Sequence, residues 1–369
     1  MREIKILAIV VVIVGVLYWG VEPLAHSVFH PKAAPSDFAF QDLERVDLSK
    51  ADAQRGKELV ETNCAICHNI KAIGIDNGVV SFPGGKGEIT TPDLSTAGAL
   101  YDENFLATLI VNPVKATKLG HKFSDENPFP MTSYEGDKQD VADMVAFLKS
   151  IGATSLKHNV LYSDEYTAKK EALEKSALSD SQKEAALANL ETQLTNKAVF
   201  VDACSRCHSI KYDEPKTKEK LEANEAKRKN IQGYLGAEAP DLSMMIRSKG
   251  EHYLEGFIND PQKVSYNAIK QAIIAKQGSL PENTTKSDWQ EADDYSNLAK
   301  ELGVMPNGLS MPRVGLTEES QERVIAYLES IGDSKKHERE SLGVYVIIFF
   351  GILSVLAFLW KRKIWRELH

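Results

Sequence analysis

Cysteine is scarce in this chain, with four in 369 residues. That excludes a disulfide-dense scaffold, and each pair is too close to close anything but a very small ring. An excess of basic charge is missing as well. The formal net charge is −8 and no basic, aromatic-interleaved patch appears, so nucleic acid is not a partner. No run alternates apolar and polar residues over a useful length, which leaves little from which to build a sheet. There is no Ser/His/Asp set. Gly84-Gly85-Lys86-Gly87 lacks the strand–loop–helix context of a phosphate loop and reads as a surface loop. With 43% hydrophobic and 26% charged residues, the length suits two or three domains.

All four cysteines fall in two motifs, Cys64-Ala-Ile-Cys67-His68 and Cys204-Ser-Arg-Cys207-His208. In C-x-x-C-H both thiols can form thioethers to one haem edge while the adjacent imidazole reaches the iron. The chain is therefore expected to hold two covalent haem c groups, whose ordinary work is to take and give single electrons. The rival readings are a zinc site built from both pairs, which lacks the usual ligand spacing, and a thioredoxin-like dithiol.

The motifs head two copies of one longer pattern. Thr91-Pro92-Asp93-Leu94-Ser95 answers Ala239-Pro240-Asp241-Leu242-Ser243. Phe105-Leu106 through Asn112-Pro113 answers Tyr253-Leu254 through Asp260-Pro261. Phe129-Pro130-Met131 answers Leu309-Ser310-Met311, and Phe147 to Gly152 answers Tyr327 to Gly332. The offset between copies only grows along the chain, so the second copy carries two insertions, a charged tract around Lys211 to Gln232 and a segment between Pro261 and Met311. Two like domains in tandem follow, at 45–152 and 195–332. Val141, Met144, Val145 and Leu148 make one helical face, as do Val324, Tyr327, Leu328 and Ile331. Thr317 caps the second of these helices, and Gly152 and Gly332 are expected to stop them. Between the domains, 153–194 reads as a charged helical hairpin or one kinked helix, with Ser181 and Glu184 as a capping box. It is a spacer or a partner-binding arm.

His68 and His208 are the expected proximal iron ligands. Met131 and Met311 each stand 16 residues before the matching aromatic of the terminal helix, Phe147 or Tyr327, and are the expected distal ligands. A thioether raises the haem potential relative to a second imidazole. Met305 is the rival to Met311. Met144 and the pair Met244-Met245 read as core filler, and His121 and His252 as surface or loop residues. Pro92 and Pro240 recur on loops whose carbonyls point in a restricted direction. One such carbonyl can accept the second N–H of the proximal histidine.

Two apolar runs flank the repeat. Ile6 to Val21 reads as an N-terminal anchor (1–22), with a cleaved signal ending near Ala25-His26-Ser27 as the alternative. Leu342 to Trp360 is a second anchor, about 28 Å long as a helix. Lys361, Arg362, Lys363 and Arg366 after it, and Arg2 and Lys5 before the first, put both termini on the cytoplasmic side. Of the net charge, the two terminal segments hold +1 and +3, leaving −12 between them. Such a field attracts a basic partner, or simply keeps the domain soluble.

These motifs resemble class I cytochromes c in tandem: His68 with Pro92, Leu94, Met131 and Phe147, then His208 with Pro240, Leu242, Met311 and Tyr327. The resemblance implies an all-α fold, two cytochrome c domains between transmembrane helices. In that family a glycine eight residues before the first cysteine permits close helix crossing; Gly56 fits, whereas the second copy has Asn196. The whole layout, with Tyr18-Trp19-Gly20-Val21-Glu22-Pro23 after the first anchor, resembles the dihaem cytochrome c subunit of some bacterial ubiquinol–cytochrome c reductase complexes. It implies cytochrome b and Rieske iron–sulfur subunits as partners in a dimeric complex and a Rieske protein as electron donor. It also implies a soluble cytochrome c or terminal oxidase as acceptor, and haem domains on the periplasmic side of the inner membrane. A haem subunit of a terminal oxidase or other respiratory enzyme is the alternative. A dihaem peroxidase needs an open iron position, which two methionine ligands argue against.

Overall fold

A computed structural model of the chain describes residues 2–21, 24, 40–78, 81–84, 87–123, 127–214, 217–281, 288–306 and 309–368. The small-residue segment Ala25-His26-Ser27 lies outside them. Helix α1 (Arg2–Val16) runs into a π-helical turn at Leu17–Val21, and both are exposed to their surroundings.

In the first domain, Asp52 accepts from the N–H groups of Gln54 and Arg55 and so starts α2 (Ala53–Asn63). A 3-10 turn (Lys71–Ile73) and an antiparallel hairpin of β1 (Ser81–Gly84) and β2 (Gly87–Thr90) follow. Gly84 and Gly87 pair across this hairpin, while Gly85 and Lys86 lie outside the described residues. Short helices α3 (Ala97–Leu100), α4 (Glu103–Val111) and α5 (Pro113–Thr117) lead to the long α6 (Lys138–Leu161). The predicted face of α6 is the one buried: Val141, Met144, Val145 and Leu148 pack with Val60, Ile70 and Leu106. Helix α2 crosses α6 so closely that a Cβ on Gly56 would lie 1.9 Å from the Asp143 carbonyl oxygen.

The expectation that Gly152 ends this helix is corrected. Gly152 lies in the interior of α6, where a Cβ would meet the Ala99 nitrogen at 2.4 Å. Its missing side chain admits α3, and intact backbone bonding carries the helix to Leu161. Gly332 does end its helix.

The linker is a helical hairpin of α7 (Asp164–Glu174) and α8 (Asp180–Cys204), packed on the end of α6 through Val160, Leu190 and Leu194. Its capping box is Ser179 with Gln182, two residues earlier than the sequence pattern suggests. Helix α8 also runs unbroken into the second domain and delivers Cys204.

Both insertions of the second copy are helical. The first contains α9 (Lys218–Leu235), which packs against β2 of the first domain. After α10 (Met245–Lys249) and α11 (Glu251–Ile258), the second insertion contributes α12 (Gln262–Gln277) and α13 (Asp288–Glu301). These pair around Ile269, Ile273, Tyr295 and Ala299. Helix α14 (Glu318–Gly332), capped by Thr317, then crosses α8. Its helical face Val324, Tyr327 and Leu328 is buried as expected.

The two domains share an interior. Leu100 of the first sits in the core formed by Val199, Phe200, Ile246, Leu254, Leu316 and Val324. Backbone bonds join them: Asp102 N–H to Gly315 O, Thr317 N–H to Leu100 O and Arg313 N–H to Thr117 O, each 3.0 Å. Gly315 has φ +75, and a Cβ there would strike the Phe105 ring at 2.2 Å. The buried Arg313 pairs with Asp42, Nη2 to Oδ2 at 2.5 Å.

Helix α15 (Lys336–Leu368) closes the chain. Two stretches, Glu3–Val21 and Glu338–Glu367, are long and apolar enough to cross a membrane.

Candidate functional site

The two motifs adopt one turn. Helix α2 ends with the Cys64 N–H bonded to Val60 O; then Cys67 N–H (3.1 Å) and His68 N–H (2.8 Å) both turn back to Cys64 O. In the second copy Cys207 N–H (3.1 Å) and His208 N–H (2.9 Å) return to Cys204 O. A helix ending in this tight turn brings both cysteines and the histidine together within one turn of chain, as covalent attachment at one edge requires.

Each turn is tied to its proline loop in the same way. Leu94 N–H donates to Asn69 O at 2.8 Å, and Leu242 N–H to Ser209 O at 3.0 Å. In both loops the aspartate after the proline accepts from the serine two residues on, Asp93 from Ser95 and Asp241 from Ser243. The result is the contact expected of the prolines: His68 Nδ1 lies 2.9 Å from Pro92 O, and His208 Nδ1 lies 2.8 Å from Pro240 O. A carbonyl only accepts, so Nδ1 carries the proton, and in a neutral ring Nε2 keeps a free lone pair. Burial pushes both imidazoles below their ordinary range, which keeps them neutral at physiological pH. Burial also pushes the Cys64 thiol up to about 11 and that of Cys204 to about 12. Two thiols beside a neutral imidazole with a bare Nε2 is the donor set that haem c takes, so the residues present fit the group.

Among the described residues no three His, Cys, Asp or Glu side chains converge to hold an ion.

Met131 and Met311 are half-buried on their loops, and the Met311 carbonyl accepts from Gln262 Nε2 at 3.0 Å. The rival Met305 packs instead against the Ile269–Tyr295 core of the second insertion. Met144 is fully buried, as expected, and Met245 packs on the second core. Met244 departs from expectation. It is 40% exposed, because it occupies the N-cap of α10 rather than its inner face. His121 Nε2 bonds Leu309 O at 3.1 Å, and the exposed His252 pairs with Glu255.

The sequence patterns did not reveal how close the two motifs lie. Thr96, just after the first proline loop, donates to Asp202 Oδ2 at 2.7 Å, and Asp202 is two residues before Cys204. Tyr101 packs against the core that includes Cys64 and against the one that includes Cys204. From the first insertion, Lys227 Nζ donates to Ser205 O inside the second motif at 2.8 Å. Tyr234 sits on Phe123 and Phe129, with ring centroids 5.3 and 6.5 Å away.

The family model for cytochrome c matches residues 53–152. The first half carries a cytochrome c domain. Over that stretch, which includes Cys64, Cys67 and His68, the chain is similar to c-type cytochromes, which are electron carriers. Cytochrome c1 of Allochromatium vinosum is 22% identical over 207 residues, 46% of this chain and 82% of the relative. The ammonia monooxygenase gamma subunit of Nitrosomonas europaea is 27% identical over 153 residues. That alignment covers 39% of this chain and 60% of the relative, so less than two thirds of its length is spanned. No solved structure matches.

Proposed function

We propose that the chain is a membrane-anchored dihaem cytochrome. It relays electrons from the Rieske iron–sulfur protein of a quinol-oxidising cytochrome bc complex to a soluble cytochrome c or a terminal oxidase. The observation that carries the reading is the recurrence of one proximal arrangement, a histidine Nδ1–H held by a proline carbonyl directly behind a C-x-x-C turn, in both halves. A haem c bound at each site supplies reversible one-electron chemistry, with no bond made or broken in the protein.

The chain's own residues hold and tune. Cys64 and Cys67, then Cys204 and Cys207, supply the thioether sulfurs. His68 and His208 offer Nε2 to iron, kept in the right tautomer by Pro92 and Pro240. Met131 and Met311 would each offer a thioether to a haem iron, a ligand that would keep the potentials within reach of a Rieske donor, roughly −150 to +300 mV. The shared core around Leu100 keeps the two sites at a constant separation, so transfer needs no domain movement. Helices α1 and α15 anchor the chain from the same side, with both termini cytoplasmic, the haem domains periplasmic, and cytochrome b as neighbour. The similarity to cytochrome c1 supports this placement.

The match to an ammonia monooxygenase gamma subunit supports a second reading, the haem subunit of another membrane enzyme. Gentle solubilisation and identification of the co-purifying subunits decides between them. A Rieske protein and a b-type cytochrome are expected; their absence overturns the first reading. An alkaline pyridine spectrum showing fewer than two covalent haems per chain overturns both.

A further inference from the structure

The loop that carries Met131 is held at its two ends by different domains. On the C-terminal side its own domain fixes it, with Tyr134 N–H donating to Ile110 O at 2.9 Å and the Tyr134 hydroxyl to Asp140 Oδ2 at 2.9 Å. On the N-terminal side it leans on a trio of rings. Phe129, two residues before Met131, meets Phe123 edge-on with centroids 5.0 Å apart. Tyr234 completes the trio, 5.3 Å from Phe123 and 6.5 Å from Phe129, and Leu235 is buried in the same cluster with Ile231 packed on it. These last three residues belong to α9, the first insertion of the second copy. Lys227, Ile231 and Tyr234 stand at i, i+4 and i+7 and share one helical face. Lys227 ties that face to Ser205 O of the second motif, and two turns on Tyr234 delivers it to the first domain.

The loop that carries Met311 shows the reverse arrangement. His121 of the first domain bonds Leu309 O, two residues before Met311, and a carbonyl only accepts, so Nε2 carries the proton. Two residues after Met311, Arg313 N–H donates to Thr117 O of the first domain at 3.0 Å. Gln262 of the second domain shares Leu309 O at 2.7 Å and reaches Met311 O at 3.0 Å. His121 and Phe123 are two positions apart, so one short stretch after α5 serves both loops.

We propose that each distal methionine is kept in place by the domain that does not contain it, with Tyr234 as a positioning residue for Met131 and His121 as one for Met311. This rests on the reading of these methionines as distal ligands of two haems. Carbon monoxide reads the effect. The iron–sulfur bond breaks, the carbon of CO takes the vacated position on ferrous iron, and no electron moves. Only molecules whose methionine has left can bind it, so the apparent affinity scales with that fraction.

The test is a CO titration of the reduced, full-length, detergent-solubilised holoprotein, followed by the absorption of each haem. Met131→Ala and Met311→Ala, titrated first, assign the two haems and show the fully open response. Tyr234→Ala loses two ring contacts and is expected to raise the CO affinity of the first haem about tenfold, leaving the second within about twofold. His121→Ala loses one hydrogen bond and is expected to raise that of the second haem about fivefold, leaving the first within about twofold. Tyr234→Phe keeps the ring and His121→Gln keeps a donor, so both are expected to stay within about twofold of wild type at both haems. Should Tyr234→Ala fail to mature with two haems, Tyr234→Leu, which keeps an apolar body without a ring, takes its place with the same expectation. Unchanged affinities in the alanine variants overturn the proposal. So does an equal rise at both haems in one variant, which is what general loosening of the fold produces. If Met131→Ala or Met311→Ala itself leaves CO affinity and the methionine–iron band at wild-type values, the ligand reading fails and takes the proposal with it. A single covalent haem in the wild-type pyridine spectrum marks failure of the dihaem reading instead.

Discussion

Gly56→Ala is the sharpest test of how the first haem site is built. The added methyl carbon would lie 1.9 Å from the Asp143 carbonyl oxygen, where about 3.3 Å is the normal approach. Helices α2 and α6 must therefore separate by about 1.4 Å at their crossing. Val60, Met144 and Val145 are wholly buried beside it and lose contact as the helices part. Overpacking of this kind costs about 1–3 kcal/mol, and the gaps it opens add to that. Against it stands a gain of about 1 kcal/mol from replacing a helical glycine by alanine. The net is about 1–3 kcal/mol of destabilisation once the gaps are included, or roughly 2–12 °C in Tm at 2–4 °C per kcal/mol. The second domain supplies the control. Asn196 occupies the matching place, accepting from Arg323 at 3.3 Å, so Asn196→Gly is expected to cost under about 1 kcal/mol. The assay is thermal unfolding of the full-length holoprotein together with covalent haem per chain. Because α2 delivers Cys64, Gly56→Ala is expected to lower haem content at the first site as well. A variant with wild-type Tm and two haems refutes the argument.

Three further outcomes follow from other parts of the molecule. Met131→His and Met311→His should each lower one haem potential, while Met305→Leu should leave both methionine–iron charge-transfer bands unchanged, since that side chain packs in the second insertion; loss of a band in Met305→Leu reverses the second-domain assignment. Arg313→Met leaves the half-buried Asp42 unpaired and is expected to cost about 2–4 kcal/mol, with Arg313→Met/Asp42→Leu recovering most of it, both read by thermal unfolding; a single variant as stable as wild type refutes the pairing. Asp260 is pushed up to about 6 by burial, with Asp42 adding to the effect, even though Lys118 Nζ lies 3.3 Å away. A carboxyl whose folded pKa is raised stabilises most below its unfolded value near 3.8, and that contribution is lost as pH climbs through about 6. Asp260→Asn should therefore gain about 1–2 kcal/mol at pH 7.5, after loss of the Lys118 contact, and nothing at pH 4. Equal Tm changes at both pH values refute it.

What could be read from the chain, and what could not, divides along physical lines. The C-x-x-C-H turns, the proline loops and the inner faces of α6 and α14 are local patterns, and local patterns survive folding. Even the carbonyl contact to each histidine follows from a restricted proline loop and its repetition. Gly152 misled because a glycine late in an apolar pattern looks like a stop, whereas here it is a seat for α3, a fact about a partner helix. Ser179 displaced Ser181 as cap because two capping patterns overlap and only the three-dimensional start of α8 chooses between them. The insertions gave only composition, charge without an evident face, so their helices and the reach of Lys227 to Ser205 were not legible. Nor was the Thr96–Asp202 bond. Contacts 106 positions apart leave no trace in the spacing of one sequence.

Leu100 carries a consequence for how such a molecule can be divided. A fragment beginning in the linker, near Ser179, would be born with a leucine-sized hole in its interior and with the edge at Leu316 stripped of the Tyr101 strand bridge. Gene truncation is thus a poor way to obtain either half, because neither owns all the bricks of its own wall.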